Sequence, residues 1–188
     1  MKALLATAAL ALALAAPAYG GTYAIDPTHT FVTYEISHFG TSTNRGRFDR
    51  KEGTVQFDRA TRTGKVEVSF DMSSISTGVA PLDKHLQGAD FFDVAMYPKA
   101  RFVGDRFSFN GDKVTQVAGT LTLRDKTQPV VLKASNFNCY TNPLLRRETC
   151  GGDFETTIKR SLWGMTWGLN SGVTDEVRLL IQVEAIKQ

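Results

Sequence analysis

Three histidines, His29, His38 and His85, are the side chains best suited to proton transfer or metal binding in this sequence. Asp26 stands three residues before His29, close enough for carboxylate and imidazole to share a hydrogen bond across a turn. Such a pair suits a general base, and it equally suits a clamp that holds a strand end in place. His29 and His38 are nine residues apart on one extended segment, and an odd spacing puts them on opposite faces of a strand. His85 lies far along the chain. The three do not assemble a metal site by spacing, so no metal and no catalytic residue is expected. Other chemistry is equally unsupported. There is no G-x-S-x-G elbow and no glycine loop followed by Lys-Ser/Thr. The two cysteines lack C-x-x-C spacing, whether for redox or for haem attachment. No cofactor is expected.

The elements that position these residues begin after a leader. Met1-Lys2 is followed by a small apolar run, Ala3 to Ala16, broken only by Thr7. Ala16-Pro17-Ala18-Tyr19-Gly20 then offers small residues at cleavage spacing. This is expected to be a secretory signal peptide over residues 1–20, cut after Gly20, with Ala18 the alternative position. The run is too short for an uncleaved membrane anchor, and no Cys follows it to take a lipid. The chain is therefore expected in the periplasm. Residues 21–188 make one domain with room for a sizeable core. Its net charge, +3 with Lys2 counted, comes from scattered basic residues, and nothing resembles a nucleic-acid footprint. In an exported chain the close pair Cys139 and Cys150 reads as a disulfide, which would contribute roughly 2–3 kcal/mol by closing a short loop.

Period two dominates from residue 28 onward. In Lys65–Met72, residues Val66, Val68, Phe70 and Met72 share one face, and Lys65, Glu67, Ser69 and Asp71 the other. Glu176–Ile186 repeats the pattern with Val177, Leu179, Ile181, Val183 and Ala185, and Gln116–Arg124 with Val117, Gly119, Leu121 and Leu123. Less regular strands are expected near His29–His38, Gly46–Phe57, Ala100–Phe109, Pro129–Phe137 and Asp153–Arg160, for eight in all. Asp58–Gly64, Asn110-Gly111-Asp112 and Arg124–Pro129 are short connections, which favour antiparallel neighbours.

Eight such strands expose two edges unless the sheet closes. An up-and-down barrel removes both. A barrel of that size is filled by its own side chains or holds one slender ligand; two packed sheets are the alternative. An outer-membrane barrel would share the leader and the alternation. However, these strands are mostly too short to cross lipid, no aromatic girdle recurs, and the chain ends Ala185-Ile186-Lys187-Gln188. The expectation is an apolar face turned inward, with no membrane span.

One segment breaks the alternation. Pro81–Gly88 has a first-turn Pro, Leu82 and Leu86 four apart, and a Gly suited to end a helix. Asp90 is placed to cap a second helical turn, Phe91–Met96, ended by Tyr97-Pro98. Between the third and fourth strands of a barrel, these greasy pieces have one apolar place to go, across an open end.

With this segment the chain resembles the YceI-like family of exported lipid-binding proteins. Tyr23-x-Ile25-Asp26-x-x-His29-Thr30, Ile36-Ser37-His38-Phe39-Gly40 and Gly46-x-Phe48 match in order. So do His85–Asp93 with Tyr97-Pro98, Gly119–Leu123, and Ile158–Ser161 with Gly164-Met165. The sequence departs at Leu162-Trp163, where the family often has Asp-Phe, and its Cys pair is shared by only some members. The resemblance implies an all-β, lipocalin-like antiparallel barrel with an elongated cavity. It implies binding of a long isoprenoid, such as a quinone tail or a polyprenyl chain, rather than catalysis.

The expected wall is Val68, Phe70, Phe102, Leu121, Leu123, Ile181 and Val183, with Phe91, Phe92 and Met96 as the lid. Gly119, Gly164 and Gly168 favour a hollow interior by leaving space near large side chains. The expected function is a carrier of a long isoprenoid or other lipid. The alternatives are sequestration of foreign lipophilic compounds such as antibiotics, or an enzyme using His29 or His85 on a barrel-bound lipid. An exposed strand or the lid leaves a homodimer open.

Overall fold

The computed structural model describes residues 20–188, so the expected signal peptide lies outside the described residues apart from Gly20. The strands are β1 (Thr22–Ile25), β2 (Phe31–His38), β3 (Ser42–Phe48), β4 (Lys51–Asp58), β5 (Thr63–Asp71), β6 (Ile75–Ser76), β7 (Lys99–Asn110), β8 (Lys113–Leu123), β9 (Lys126–Thr141), β10 (Glu148–Lys159) and β11 (Val173–Lys187). One α-helix, α1 (Ala80–Gln87), joins β6 to β7, and short 3₁₀ turns occupy Met72–Ser74, Arg160–Trp163 and Leu169–Ser171.

Six of these strands are halves of three bent ones. β1 and β2 both lie along β11, with Tyr23 opposite Lys187 and Val32 opposite Ile181. β3 and β4 follow one another across the barrel, and β5 is prolonged by β6, which pairs with β3. The result is eight continuous antiparallel ribbons in sequence order, the last pairing with the first. The up-and-down barrel is therefore closed, and the alternative of two separate sheets does not occur.

The break between β1 and β2 has a local cause. Asp26 Oδ1 accepts the Thr28 amide at 2.8 Å and the Thr28 hydroxyl at 2.6 Å, turning the chain where Pro27 has no N–H to give the ladder. Thr30 restores the pairing, since its hydroxyl bonds both the amide and the carbonyl of Glu184 at 3.2 Å.

The hairpin at Asn110–Lys113 turns on Gly111 at φ +59°, as its sequence predicts. The next connection is tighter than predicted. Arg124 and Asp125, both at positive φ, make the whole turn, and β9 is already paired at Lys126. Pro129 thus lies inside β9. It is tolerated because β10 pairs with β9 only from Lys133 onward, so no ladder is spoiled on that side.

Beyond Lys133 and Glu155 the two strands part, and the Arg160–Trp163 turn fills the wedge. Trp163, nearly fully buried, donates its indole N–H to the Leu121 carbonyl at 3.2 Å. Arg124 Nη1 donates to the Gly164 carbonyl at 3.1 Å. At the other end of the same pair, Cys139 and Cys150 stand directly opposite one another and are disulfide-bonded.

Most charged residues face outward, Arg160 being buried. Arg178 bridges Glu155 and Glu35, Arg45 joins Glu35 at 2.7 Å, and Arg101 meets Glu67 at 2.7 Å. That is the reverse of a barrel facing lipid. Among the described residues no helix is long and apolar enough to cross a membrane.

The insert is half as expected. α1 runs from Ala80 to Gln87 with Pro81 in its first turn and Gly88 at its end. The second helical turn is absent. Asp93 takes a left-handed φ of +47°, and the amides of Asp93 and Val94 return to the carbonyls of Gly88 and Gln87. A left-handed residue cannot sit inside an α-helix, so Phe91–Tyr97 forms linked turns, and Asp90 caps no helix.

Candidate functional site

The inward faces of the strands enclose a cavity of about 460 Å³. Val68 and Phe70 reach it from β5, Phe102 from β7, Leu121 and Leu123 from β8, and Ile181 and Val183 from β11. Phe70, Leu121, Ile181 and Val183 point inward yet remain only half-buried, because what they face is open space. Phe91 and Phe92 line it from the insert. Met96 does not. It is 69 % exposed, since the turn closed by the Met96 amide on the Asp93 carbonyl directs its side chain to solvent.

The two ends of the cavity differ. Every tip joining β4 to β5, β7 to β8 and β9 to β10 gathers at one end, which aromatic rings close. Phe57 is the hub, with ring centroids 5.6 Å from Phe137, 6.0 Å from Phe109, 6.3 Å from Tyr23 and 6.5 Å from Phe107. The Tyr23 hydroxyl donates to Glu148, which also pairs with Arg59. Burial and the neighbouring Glu148 carboxylate push the Tyr23 phenol well above its ordinary range. Burial likewise raises Tyr34, to about 12. Both phenols are therefore neutral walls near neutral pH.

The other end lies under α1. Leu82, His85 and Leu86 share the helix face that looks into the cavity. Phe92 packs edge-on against Phe48 at 5.5 Å. The His85 ring stands 5.0 Å from both Phe91 and Trp167. Two side-chain ties fix the insert: Asp83 accepts the Thr77 amide and hydroxyl at 2.7 and 2.6 Å, and Gln87 donates to the Ser73 carbonyl at 3.1 Å.

The histidines divide, but not by strand phase, since His29 lies in the turn between β1 and β2 rather than on a strand. His38 lines the cavity at its lidded rim, and His29 is exposed on the outside. His29 Nδ1 lies 2.8 Å from Asp26 Oδ2, beside the Asx turn that joins β1 to β2. Burial alone would raise the Asp26 carboxyl, but the hydrogen bonds from Thr28 and His29 outweigh it and hold it at about 2. The Asp26 hydrogen bond in turn raises His29. This pair clamps a strand junction and has no access to the cavity.

Other residues outside the expected wall also line the cavity, among them Tyr34, Phe48, Phe57, Arg160, Trp167 and Leu179. The first three and Leu179 follow from strand phase once the partner faces are known. Arg160 and Trp167 lie in a loop with no period to betray them. The glycines also act differently from expectation. A Cβ on Gly119 would strike the backbone of Val103 and Gly104, so it permits close strand approach and leaves no cavity space. Gly164 and Gly168 have left-handed φ values of +81° and +73°, which shape the loop. Leu162 and Trp163, where the sequence departs from the family pattern, lie at the β9–β10 wedge, and neither residue lines the cavity.

The comparisons agree with this geometry. The model of the YceI-like domain matches residues 23–185. A UPF0312 protein of Pseudomonas savastanoi pv. phaseolicola is 41% identical over 140 residues, covering 72% of this chain and 73% of that one. A UPF0312 protein of Pseudomonas putida is 35% identical over 194 residues, covering 100% and 99%. Among solved structures, Burkholderia cenocepacia BcnA superposes with a TM-score of 0.71 at 25% identity, over 85% of this chain and 98% of its own. A polyisoprenoid binding domain from Saccharophagus degradans has the same fold, with a TM-score of 0.61 at 15% identity, over 88% and 98%. With a family model spanning the barrel and a relative alignable from end to end, the chain belongs to the YceI-like family.

Proposed function

We propose that this protein binds and carries a long apolar molecule inside its barrel, a polyisoprenoid, an isoprenoid quinone or a fatty-chain lipid, in the periplasm. The observation that carries the reading is the cavity of about 460 Å³, walled by aliphatic and aromatic side chains and covered by an apolar insert. Each methylene taken from water into such a wall contributes roughly 0.8 kcal/mol, against about 1 kcal/mol for one net hydrogen bond. A dozen carbons therefore outweigh any single polar contact, so the walls supply affinity and the few polar groups supply orientation. The formed Cys139–Cys150 disulfide supports an oxidising compartment. The fold shared with a polyisoprenoid binding domain supports the ligand class. Binding without turnover is favoured by His29 standing outside the cavity and by His85 lying between two aromatic rings.

The test is extraction of protein purified from a periplasm, followed by mass spectrometry of the extract. A stoichiometric prenyl or acyl chain is expected. Protein that is repeatedly empty, and that takes up no prenyl or acyl chain when offered one, defeats the proposal.

A further inference from the structure

The cavity is apolar almost throughout, yet one permanent charge faces it. Among the described residues, Arg160 is the only Lys or Arg that lines it, and no Asp or Glu does. The side chain is 2 % exposed. Three of its five N–H groups are held by backbone carbonyls: Nε by Thr174 at 2.9 Å, Nη1 by Met165 at 2.9 Å and Nη2 by Val173 at 3.2 Å. Those partners are dipoles, not anions. The acid whose field reaches it, Asp175, has its two oxygens on the Ser161 amide and hydroxyl, each at 2.8 Å. Burial lowers the pKa of the guanidinium, with Asp175 acting partly against it. A buried cation with no paired anion is costly and gains most from one that arrives with a ligand.

The position suits that role. Arg160 lies in the loop under the lid, at the opposite end from Phe57. His38 stands opposite Val173, the residue whose carbonyl takes Nη2, and Asn44 sits one step along the β2–β3 pair, opposite Ile36. Both His38 and Asn44 also line the cavity. Arg160, His38 and Asn44 are thus gathered at the lidded end, away from the ring cluster around Phe57.

We propose that the lidded end is a subsite for an anionic head group, a carboxylate or a phosphate, received by Arg160 with His38 and Asn44 beside it while the chain runs toward Phe57. This rests on the apolar-carrier reading and adds a head-group preference to it. The charge-assisted hydrogen bond to the guanidinium favours an anion over a neutral head on the same chain.

The test uses delipidated full-length mature protein at pH 7 and displacement of a polarity-sensitive fluorophore by palmitate, hexadecyl phosphate, hexadecanol and palmitamide. One or both anions are expected to bind about tenfold or more tightly than the alcohol and the amide. The two anionic arms tell which acid is preferred. The preference should survive added salt, because a buried pair is little screened. Arg160→Gln should bring the anion-to-alcohol ratio toward one, and Arg160→Lys should keep part of it. If Arg160→Gln does not fold, the wild-type series and Arg160→Lys decide. Equal binding of anion and alcohol by the wild type overturns this inference and leaves the carrier reading standing, as does full preference in a folded Arg160→Gln. Failure of all four chains to bind defeats the carrier reading itself.

Discussion

The end closed by Phe57 and the end covered by α1 are built from the same kinds of apolar residue and behave as opposites. At the closed end the rings interlock around Phe57, the strands are paired to their tips, and a disulfide and the Tyr23–Glu148–Arg59 network tie neighbouring elements. At the lidded end no residue of α1 is fully buried and the insert is held by Asp83 and Gln87, although the wedge where β9 and β10 part is filled by buried Trp163. Close packing and covalent ties belong to a part that must hold its shape. On the carrier proposal, the insert with its few hydrogen bonds is the part expected to open, since local opening starts where buried contacts are few. On that proposal the barrel separates its stability from its access.

The sharpest way to break that contrast is Phe57→Ala. Removing the hub of the aromatic cluster should cost about 3–5 kcal/mol, read as a fall in the urea midpoint at unchanged slope. A loss below about 1 kcal/mol would mean that the closed end is not where stability resides. Reduction of Cys139–Cys150, or Cys139→Ala with Cys150→Ala, should cost less, about 2–3 kcal/mol for so short a loop. The measurement is the same, and a null result would assign the closed end to packing alone.

Changes to the lid should move kinetics more than stability. Phe92→Ala loses an edge-on contact with Phe48, worth about 1 kcal/mol, but should speed release of a bound fatty or prenyl chain several-fold, as followed by stopped-flow transfer to vesicles. Met96→Ser should change stability by less than about 0.5 kcal/mol and leave release alone, because Met96 faces solvent. Faster release from Met96→Ser than from Phe92→Ala would invert the assignment of the lid's inner face.

The same contrast explains what could be read from the residues. β5 and β11 were legible because their polar residues alternate strictly with apolar ones, and a ribbon with one wet and one apolar face leaves no other solution. The wall candidates Val68, Phe70, Ile181 and Val183 came with them. β1 and β6 were missed. They are four and two residues long, too short to show a period, and they exist because distant partners await them on β11 and β3. At the lidded end the residues lie in loops, where side-chain direction depends on single dihedral angles. A positive φ at Asp93 turned Met96 outward, although composition alone makes Phe91–Met96 look like one apolar piece. Arg160 lies in a matched segment, Ile158–Ser161, but its burial was not legible, because a basic residue at a strand end reads as surface until the fold buries it.

The smallest expected effect lies on neither end, at the Asp26–His29 clamp on the outer wall. Asp26 is held at about 2, below its ordinary 3.8. Its contribution is therefore complete above pH 3.8 and is lost as pH falls toward 2. His29 is raised above its ordinary 6.5, so its contribution is complete below pH 6.5 and is lost as pH rises through the folded-state value. Together they predict a shallow plateau of stability between about pH 4 and pH 6.5, declining on either side. His29→Gln should remove the decline above pH 6.5 without altering ligand affinity, because the ring is exposed and outside the cavity. Urea midpoints measured from pH 5 to pH 8 for both proteins decide it. If the two curves keep the same slope above pH 6.5, the clamp does not form in solution, and the junction between β1 and β2 rests on Thr28 and Thr30 alone.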